Sequence, residues 1–372
     1  MLQDKSAGER QEIQMNRPDL TRLKSCMRRA EAGEELTIGF FGGSITQDSL
    51  ATKHENCYAY RVFRWWEETF PKAAFHYVNG GIGGTTSHYG VSRVVTDMLM
   101  YQPDFVAVDF SVNDDPNEFF QETYEGLSRK MLTWSSKPAV LLLNNVFYDT
   151  GENAQEYHNR VGDWYRLPHV SIKDTVWPRM KAGEFTREEI TPDGLHPNDK
   201  GHGLVAAEIT TYLEQVKEHM WEDESEQPVP SAMTDNAYEN ARRLTIRESC
   251  PKLDGFRADT EEKKGHLDHF KNGWIGKKSG DLILFEIEAS CIAVQYRKTI
   301  HHPARKAELI LDGDREHSVL LDGNFDEDWG DCLYLEPVLH HGKSGRHTVE
   351  IKVLPDEYET AEPFYLMALI TA

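Results

Sequence analysis

The order of apolar and amphipathic segments is the feature that most constrains how this chain can fold. Short apolar runs cover residues 37–41, 75–78, 104–110, 139–146 and 170–173. Segments with helical spacing of apolar residues lie around them, at about residues 18–32, 58–70, 88–101, 117–134 and 199–220. Strands that alternate with helices favour a parallel sheet covered on both faces. Functional side chains of such a fold gather at the carboxyl edge of the sheet.

The pattern changes after residues 223–234, an acidic and proline-bearing stretch that predicts a linker. Beyond it, strand-like runs begin near residues 281, 306, 317, 332, 348 and 364. Short strands at regular spacing predict an all-β sandwich or jelly roll. We therefore expect two domains, residues 1–222 and 235–372, and the length of 372 residues also suggests two.

Charge and cysteine usage narrow the class of protein. The net charge of -21 argues against binding to nucleic acid or to anionic membranes. The polar start at residues 1–16 has no apolar signal core, and no run approaches the roughly 18 apolar residues of a spanning helix. Five scattered cysteines without C-x-x-C spacing predict free thiols in a reducing cytoplasm: Cys26, Cys57, Cys250, Cys291 and Cys332.

A serine follows the first apolar run directly. Residues 37–41 break at Gly42-Gly43, and Ser44 comes next. Glycines permit the tight turn that would present this hydroxyl at the edge of the sheet. The same pattern also fits a serine that merely caps the following helix.

An acid and a histidine stand three residues apart in the segment Asp193-Gly194-Leu195-His196-Pro197. This spacing can place the carboxylate beside one imidazole nitrogen and leave the other nitrogen to face a serine. A nucleophilic serine needs such an orienting and base pair. A surface aspartate beside a capping histidine is the alternative.

Two further loops could supply donors to a developing oxyanion. A glycine cluster runs from Gly80 to Gly84, and Asn113 follows the third apolar run. A backbone N–H or an amide side chain suits this role. The alternatives are an ordinary turn and an Asx turn. A dinucleotide-type phosphate loop fits poorly, because Thr86 stands where the third glycine is due.

Together the four segments resemble the four blocks of the SGNH/GDSL hydrolase superfamily, in the same order, over residues 36–215. The resemblance implies a flavodoxin-like three-layer α/β/α domain and ester hydrolysis. It implies Ser44 as nucleophile, His196 as base and Asp193 as its orienting acid. It also implies an oxyanion hole formed by the amides of Ser44 and Gly84 and the side chain of Asn113.

The sequence departs from the name motif of that superfamily, since Gly43 stands where an aspartate often precedes the serine. This departure loosens any assignment to the lipase branches. The elbow of α/β-hydrolases is a different motif, because it needs a glycine where this chain has Thr46.

The added β domain points to a sugar ester. The chain resembles two-domain carbohydrate acetylesterases, with mannan acetylesterases as the nearest type. The resemblance implies an acetylated oligosaccharide as substrate and no cofactor. An acidic turn that contains Trp329 fits sugar contact, with Asp326 and Asp328 bonding hydroxyls, although Trp329 could instead be a core residue.

Several alternatives stay open at this point. The ester could belong to a thioester or lysophospholipid, the acyl group could pass to a sugar, or the protein could bind sugar without catalysis. The histidine pairs at residues 301–302 and 340–341 are poor chelates on a strand, because neighbours point to opposite faces, so we expect no metal. A homo-oligomer remains possible.

Overall fold

Five strands in the first half of the chain form one parallel sheet in the computed structural model. They are β1 Glu35–Gly42, β2 Ala74–Asn79, β3 Phe105–Asp109, β4 Ala139–Asn144 and β5 His169–Ser171. Their order in the sheet is β2-β1-β3-β4-β5. This is the flavodoxin-like order, so the fold class predicted for the first domain is confirmed.

Nine α-helices lie among the described residues of this half. They are α1 Thr21–Glu31, α2 Ser44–Gln47, α3 Tyr58–Thr69, α4 Ser87–Asp97, α5 Glu118–Leu132, α6 Gln155–Tyr165, α7 Val176–Lys181, α8 Arg187–Ile190 and α9 Asp199–Glu218. Two 3-10 turns occur at His54–Asn56 and Leu99–Tyr101. The sequence pattern did not indicate α6, α7 or α8.

The helices cover both faces of the sheet, as neighbouring residues of β1 show. Successive side chains on a strand point to opposite faces. Phe40 lies edge-on to Tyr58 of α3, with ring centroids 6.1 Å apart. Phe41 lies under the guanidinium of Arg93 from α4, at 4.2 Å. Helices α1, α3 and α9 pack together, and α4, α5 and α6 form a second group, which gives three layers.

The structure describes residues 18–223, 225–265, 267–355 and 360–372, so the polar start at residues 1–16 lies outside the described residues. Within the described chain, no helix combines the length and apolar character that crossing a membrane requires. All five cysteines are free thiols, and only Cys250 is exposed.

The chain divides into two units, which we call the first unit, Met1–Glu239, and the second unit, Asn240–Ala372. The predicted linker ended at residue 234, before this division. The end of the stretch lies along the first unit, because the Glu125 carboxylate accepts the backbone N–H groups of Met233 and Thr234 at 2.6 and 2.8 Å. Tyr238 is also buried there, with its ring 5.7 Å from that of Phe119.

The second unit consists of antiparallel sheets, as predicted. Its strands are β6 Arg242–Leu244, β7 Lys252–Asp254, β8 Arg257–Ala258, β9 Trp274–Gly276, β10 Leu282–Ala289, β11 Ile292–Lys298, β12 Lys306–Leu311, β13 Val319–Asp322, β14 Cys332–Leu339, β15 Gly345–Val353 and β16 Phe364–Thr371. One sheet has the order β13-β12-β15-β10-β7, and the other has the order β14-β11-β16-β9-β8 with β6 beside β16. Apolar side chains of both sheets share one core, among them Phe285 and Ile351 from the first and Val294 and Leu366 from the second.

Candidate active site

Ser44 begins the short helix α2, directly after β1 and Gly43. Its hydroxyl lies 2.9 Å from Nε2 of His196, although 152 residues separate the two in the chain. The turn is fixed by the backbone, since Gly43 N–H donates to the carbonyl of Asp109 at 3.2 Å. Ser44 is 8% exposed, so most of the residue is covered by the surrounding protein. The serine therefore has the partner that a nucleophile needs.

The imidazole of His196 is held by Asp193. Nδ1 of His196 lies 2.7 Å from Oδ2 of Asp193. The other carboxylate oxygen accepts the backbone N–H groups of Leu195 and His196, at 2.9 and 2.8 Å. The side chain of Thr191, which is buried, also donates to that oxygen at 3.1 Å. The carboxylate fixes the ring so that Nε2 points at Ser44.

These contacts change the acidity of Asp193. Partial burial would raise the pKa of its carboxyl, but hydrogen bonds from the His196 side chain and from the backbone of Leu195 and His196 outweigh that effect. The pKa is lowered to about 2. Asp193 is therefore ionised at neutral pH, which suits an acceptor that orients an imidazole.

The turn that carries the acid and the histidine depends on Gly194. Its φ is +83°, a left-handed conformation that favours glycine. Its carbonyl accepts the N–H of Tyr148 at 2.7 Å, and its own N–H donates to Thr191 Oγ1 at 3.1 Å. The carbonyl thus docks the turn on the loop after β4, and the N–H closes the turn on the side chain of Thr191.

Asn113 and the glycine cluster flank the serine. A Cβ built on Gly43, the residue before Ser44, would lie 2.9 Å from Cγ of Asn113, so this amide rests on the nucleophile turn. A Cβ built on Gly83 would lie 3.6 Å from Cβ of Ser44. Gly84 follows it in the chain, exposed and at φ +66°. The structure thus brings both predicted donor loops beside Ser44.

The glycine that replaces the aspartate of the name motif has a local reason in this chain. Any side chain at residue 43 would overlap the amide of Asn113 where it now lies. Gly43 therefore permits close contact between the amide and the turn that bears Ser44.

Sequence reasoning missed a buried polar layer beneath this turn. Asp109 is 2% exposed and accepts the side-chain amide of Asn145 at 2.8 Å. Burial raises the pKa of Asp109 to about 7, and the hydrogen bonds from Asn145 and Ser111 only partly offset it. The available signal was an acid and an asparagine at the ends of otherwise apolar strands.

Gln47 is a second residue that sequence reasoning did not select. Its side-chain oxygen accepts the N–H of Gly83 at 2.6 Å, which ties helix α2 to the glycine cluster. His158 and His202 lie in helices α6 and α9, where both are buried and hydrogen-bonded.

The predicted sugar-contact residues lie in the second unit. Trp329 is 54% exposed, which excludes the core alternative. Its ring packs edge-on against Phe325 with centroids 4.9 Å apart, and its N–H donates to Glu327 at 2.6 Å. Asp326 and Asp328 are exposed in the same turn. An exposed indole that packs on a phenylalanine ring, with carboxylates beside it, is chemically suited to contact a sugar ring.

Comparisons with known proteins show which family and which solved structures this chain is similar to. Residues 40–204 match the GDSL-like lipase/acylhydrolase family. A crystal structure of a two-domain esterase (CEX) active on acetylated mannans, co-crystallised with mannopentaose, is 51% identical to this chain, with 96% of each chain covered and a TM-score of 0.92. A second structure of a two-domain esterase (CEX) active on acetylated mannans gives 50% identity, the same coverage and a TM-score of 0.94. No curated protein matches the chain.

Proposed function

Because this chain belongs to the GDSL-like lipase/acylhydrolase family, we propose that it is a serine esterase that removes O-acetyl groups from acetylated manno-oligosaccharides. The observation that carries the proposal is the hydrogen-bonded series Ser44–His196–Asp193 at the carboxyl edge of the sheet. A hydroxyl with a base and an oriented acid is the arrangement that acyl transfer requires.

The reaction follows from the roles of these three residues. His196 takes the proton of Ser44 through Nε2 as the hydroxyl oxygen attacks the acetyl carbonyl. The sugar oxygen then leaves as a hydroxyl, protonated by the imidazolium, and an acetyl-enzyme remains. Water, deprotonated by His196, then attacks this ester. The Ser44 oxygen leaves and takes the proton back from the imidazolium, and acetate is released. Asp193 stabilises the imidazolium in both halves through its bond to Nδ1.

The negative charge that develops on the carbonyl oxygen needs donors. We assign them to the backbone N–H groups of Ser44 and Gly84 and the side-chain amide of Asn113. The contact of Asn113 with the Gly43 turn and the position of Gly83 beside Ser44 support this assignment. Loss of one such donor lowers kcat by about 10²–10³-fold.

The proposed substrate comes from the relatives. Similarity to an esterase active on acetylated mannans spans 96% of this chain and so includes the second unit. One of those structures holds mannopentaose. We therefore assign catalysis to the first unit and sugar contact to the second, through Trp329, Asp326 and Asp328. The five free thiols support a reducing compartment, which we take to be the cytoplasm.

The decisive experiment measures acetate release from acetylated oligosaccharides of mannan, xylan and pectin, with the Ser44→Ala variant as control. We expect release from mannan fragments and none from the variant. A preference for octanoyl over acetyl esters would favour a thioesterase or lysophospholipase-like enzyme. Transfer of acetyl to added sugar instead of water would favour an acetyltransferase.

A sugar-binding protein without catalysis predicts a different result. A fluorophosphonate probe should then fail to label Ser44, whereas the esterase should be labelled at that serine and not in the Ser44→Ala variant. Failure to label a folded protein that still binds manno-oligosaccharides would refute the proposed activity.

A further inference from the structure

We propose that Asp114 is a positioning residue that sets the spacing of the oxyanion donors, and that His158 holds it in place. The inference rests on the proposed esterase function. Asp114 follows Asn113 in the chain, and its side chain has no exposed surface. Nothing in the reaction uses its carboxylate, so its burial beside an oxyanion donor needs a separate reason.

The carboxylate of Asp114 joins two loops. One oxygen accepts the backbone N–H of Ser87 at 2.8 Å. Ser87 begins helix α4, three residues after Gly84. Asp114 is therefore bonded to the segment that supplies one proposed donor while it is covalently attached to the residue that supplies another. This carboxylate fixes the distance between the Asn113 amide and the Gly84 turn.

The second oxygen of Asp114 lies 3.0 Å from Nε2 of His158, a side chain with no exposed surface. The imidazole is stacked on the ring of Tyr124, with centroids 3.7 Å apart and planes 2° from parallel. None of the described residues forms a hydrogen bond to Nδ1 of His158. The ring is thus held by stacking, and its one bonded nitrogen donates to Asp114.

The helix that carries His158 is tied to the same loop. The N–H of Ala154, just before α6, donates to the carbonyl of Ser111 at 2.7 Å. The loop after β3 is therefore held from α4 on one side and from α6 on the other. These attachments act on Ser111, two residues before Asn113, and on Asp114, which follows it.

The exact placement of the oxyanion donors matters more for catalysis than for folding. Oxyanion donors act when they lie about 2.7–3.1 Å from the developing charge, and a misplacement of about 1 Å can cost on the order of 100-fold in rate. The same donors contribute less to the binding of the ground-state ester than to the stabilisation of the transition state. Loss of the Asp114 contacts should therefore lower kcat and leave KM nearly unchanged.

The test is a double-mutant cycle of Asp114→Asn with Asn113→Ala, measured on p-nitrophenyl acetate. Asp114→Asn keeps the side-chain shape but places an amide NH₂ against one of its two N–H donors. We expect kcat to fall by about tenfold or more, with KM changed less than about threefold. In the Asn113→Ala background the same change should cost less than about threefold, because the spacing that Asp114 sets then has no donor at the Asn113 end.

A matched control separates this role from simple stability. Glu125 is also a buried carboxylate of the first unit, and it accepts the backbone N–H groups of Met233 and Thr234. Glu125→Gln should lower the melting temperature without lowering kcat. If Asp114→Asn behaves in the same way, or if its full loss of kcat persists in the Asn113→Ala background, the inference is overturned.

A second pair of variants applies if Asp114→Asn does not fold. His158→Gln retains a donor for Asp114, whereas His158→Leu has similar volume and no donor. We expect kcat of His158→Gln to exceed that of His158→Leu by about tenfold, and equal values would overturn the inference. Activity that survives in Ser44→Ala would instead refute the proposed function, so the two failures are distinguishable.

Discussion

A methyl group at residue 194 should damage the active site without touching any catalytic side chain. Gly194 lies between Asp193 and His196 at φ +83°. A Cβ built there would lie 2.7 Å from Cγ of Asp149. Gly194→Ala therefore adds two separate costs, one from the backbone conformation and one from overlap with a neighbouring carboxylate.

The two costs have different sizes and consequences. A left-handed conformation costs an alanine about 1–2 kcal/mol. One kcal/mol shifts the melting temperature of a domain of this size by about 2–4 °C, so a loss of about 2–8 °C is expected. Asp149 is 56% exposed and paired with Arg187 at 3.1 Å, so it can move aside at small cost. If the turn shifts by about 1 Å instead, kcat should fall on the order of 100-fold.

Gly183 provides the matched control. It has nearly the same φ, +82°, and a Cβ built on it meets no atom within 4 Å. Gly183→Ala should lower the melting temperature by a similar amount and leave kcat/KM on p-nitrophenyl acetate unchanged. Gly194→Ala should lower both.

The double variant Gly194→Ala with Asp149→Ala separates overlap from backbone strain. Removing the carboxylate should restore part of the lost kcat/KM while the melting temperature stays below that of the parent protein. If Gly194→Ala retains kcat/KM within about twofold of the parent, the turn does not need this geometry. The reasoning that links residue 194 to the position of His196 would then be wrong.

Three further predictions concern other parts of the chain. Gly43→Ala would place a Cβ 2.9 Å from Cγ of Asn113, so kcat should fall by about 10²–10³-fold with little change in KM, and an unchanged kcat would contradict the role of Asn113. Burial raises the pKa of Asp109 to about 7, above the roughly 3.9 of an unfolded chain, so its stabilising contribution is complete below about pH 4 and lost as pH rises through 7. Asp109→Asn should remove that pH dependence from the melting temperature, and parallel curves for the two proteins between pH 4 and 8 would count against it. Trp329→Ala should lower kcat/KM on acetylated manno-oligosaccharides by about tenfold and leave p-nitrophenyl acetate hydrolysis unchanged, and equal effects on both substrates would argue against sugar stacking.

Much of the first unit could be read from the apolar pattern. The runs at residues 37–41, 104–110 and 139–146 correspond to β1, β3 and β4, because a buried parallel strand is apolar on both faces. Helix α6 was missed because its spacing is weak, with only four buried residues in eleven. In the second unit, the expected run at residues 281–296 is two strands, β10 and β11, separated at Ser290 and Cys291.

The candidate site could likewise be predicted from the sequence only in part. Ser44, Asp193 and His196 could be selected from motif spacing, and their catalytic roles stay predictions. Asp114 and His158 could not be paired, because 44 residues separate them and His158 lies in no distinctive motif. Trp329 could be noted as a sugar platform or a core residue, and only its exposure of 54% decided between the two.

The sequence by itself determined the local geometry: strands end in glycine turns, and Asp193 stands three residues before His196, within reach of one hydrogen bond. Those features depend on backbone preferences and on contacts between residues that are close in the sequence, so the local sequence is enough to predict them. Only the tertiary structure decided that Nε2 of His196 meets the hydroxyl of Ser44 at 2.9 Å and that Asp114 joins α4 to the loop after β3. Such contacts close long loops, and packing of the sheet against its helices supplies the free energy that closure costs.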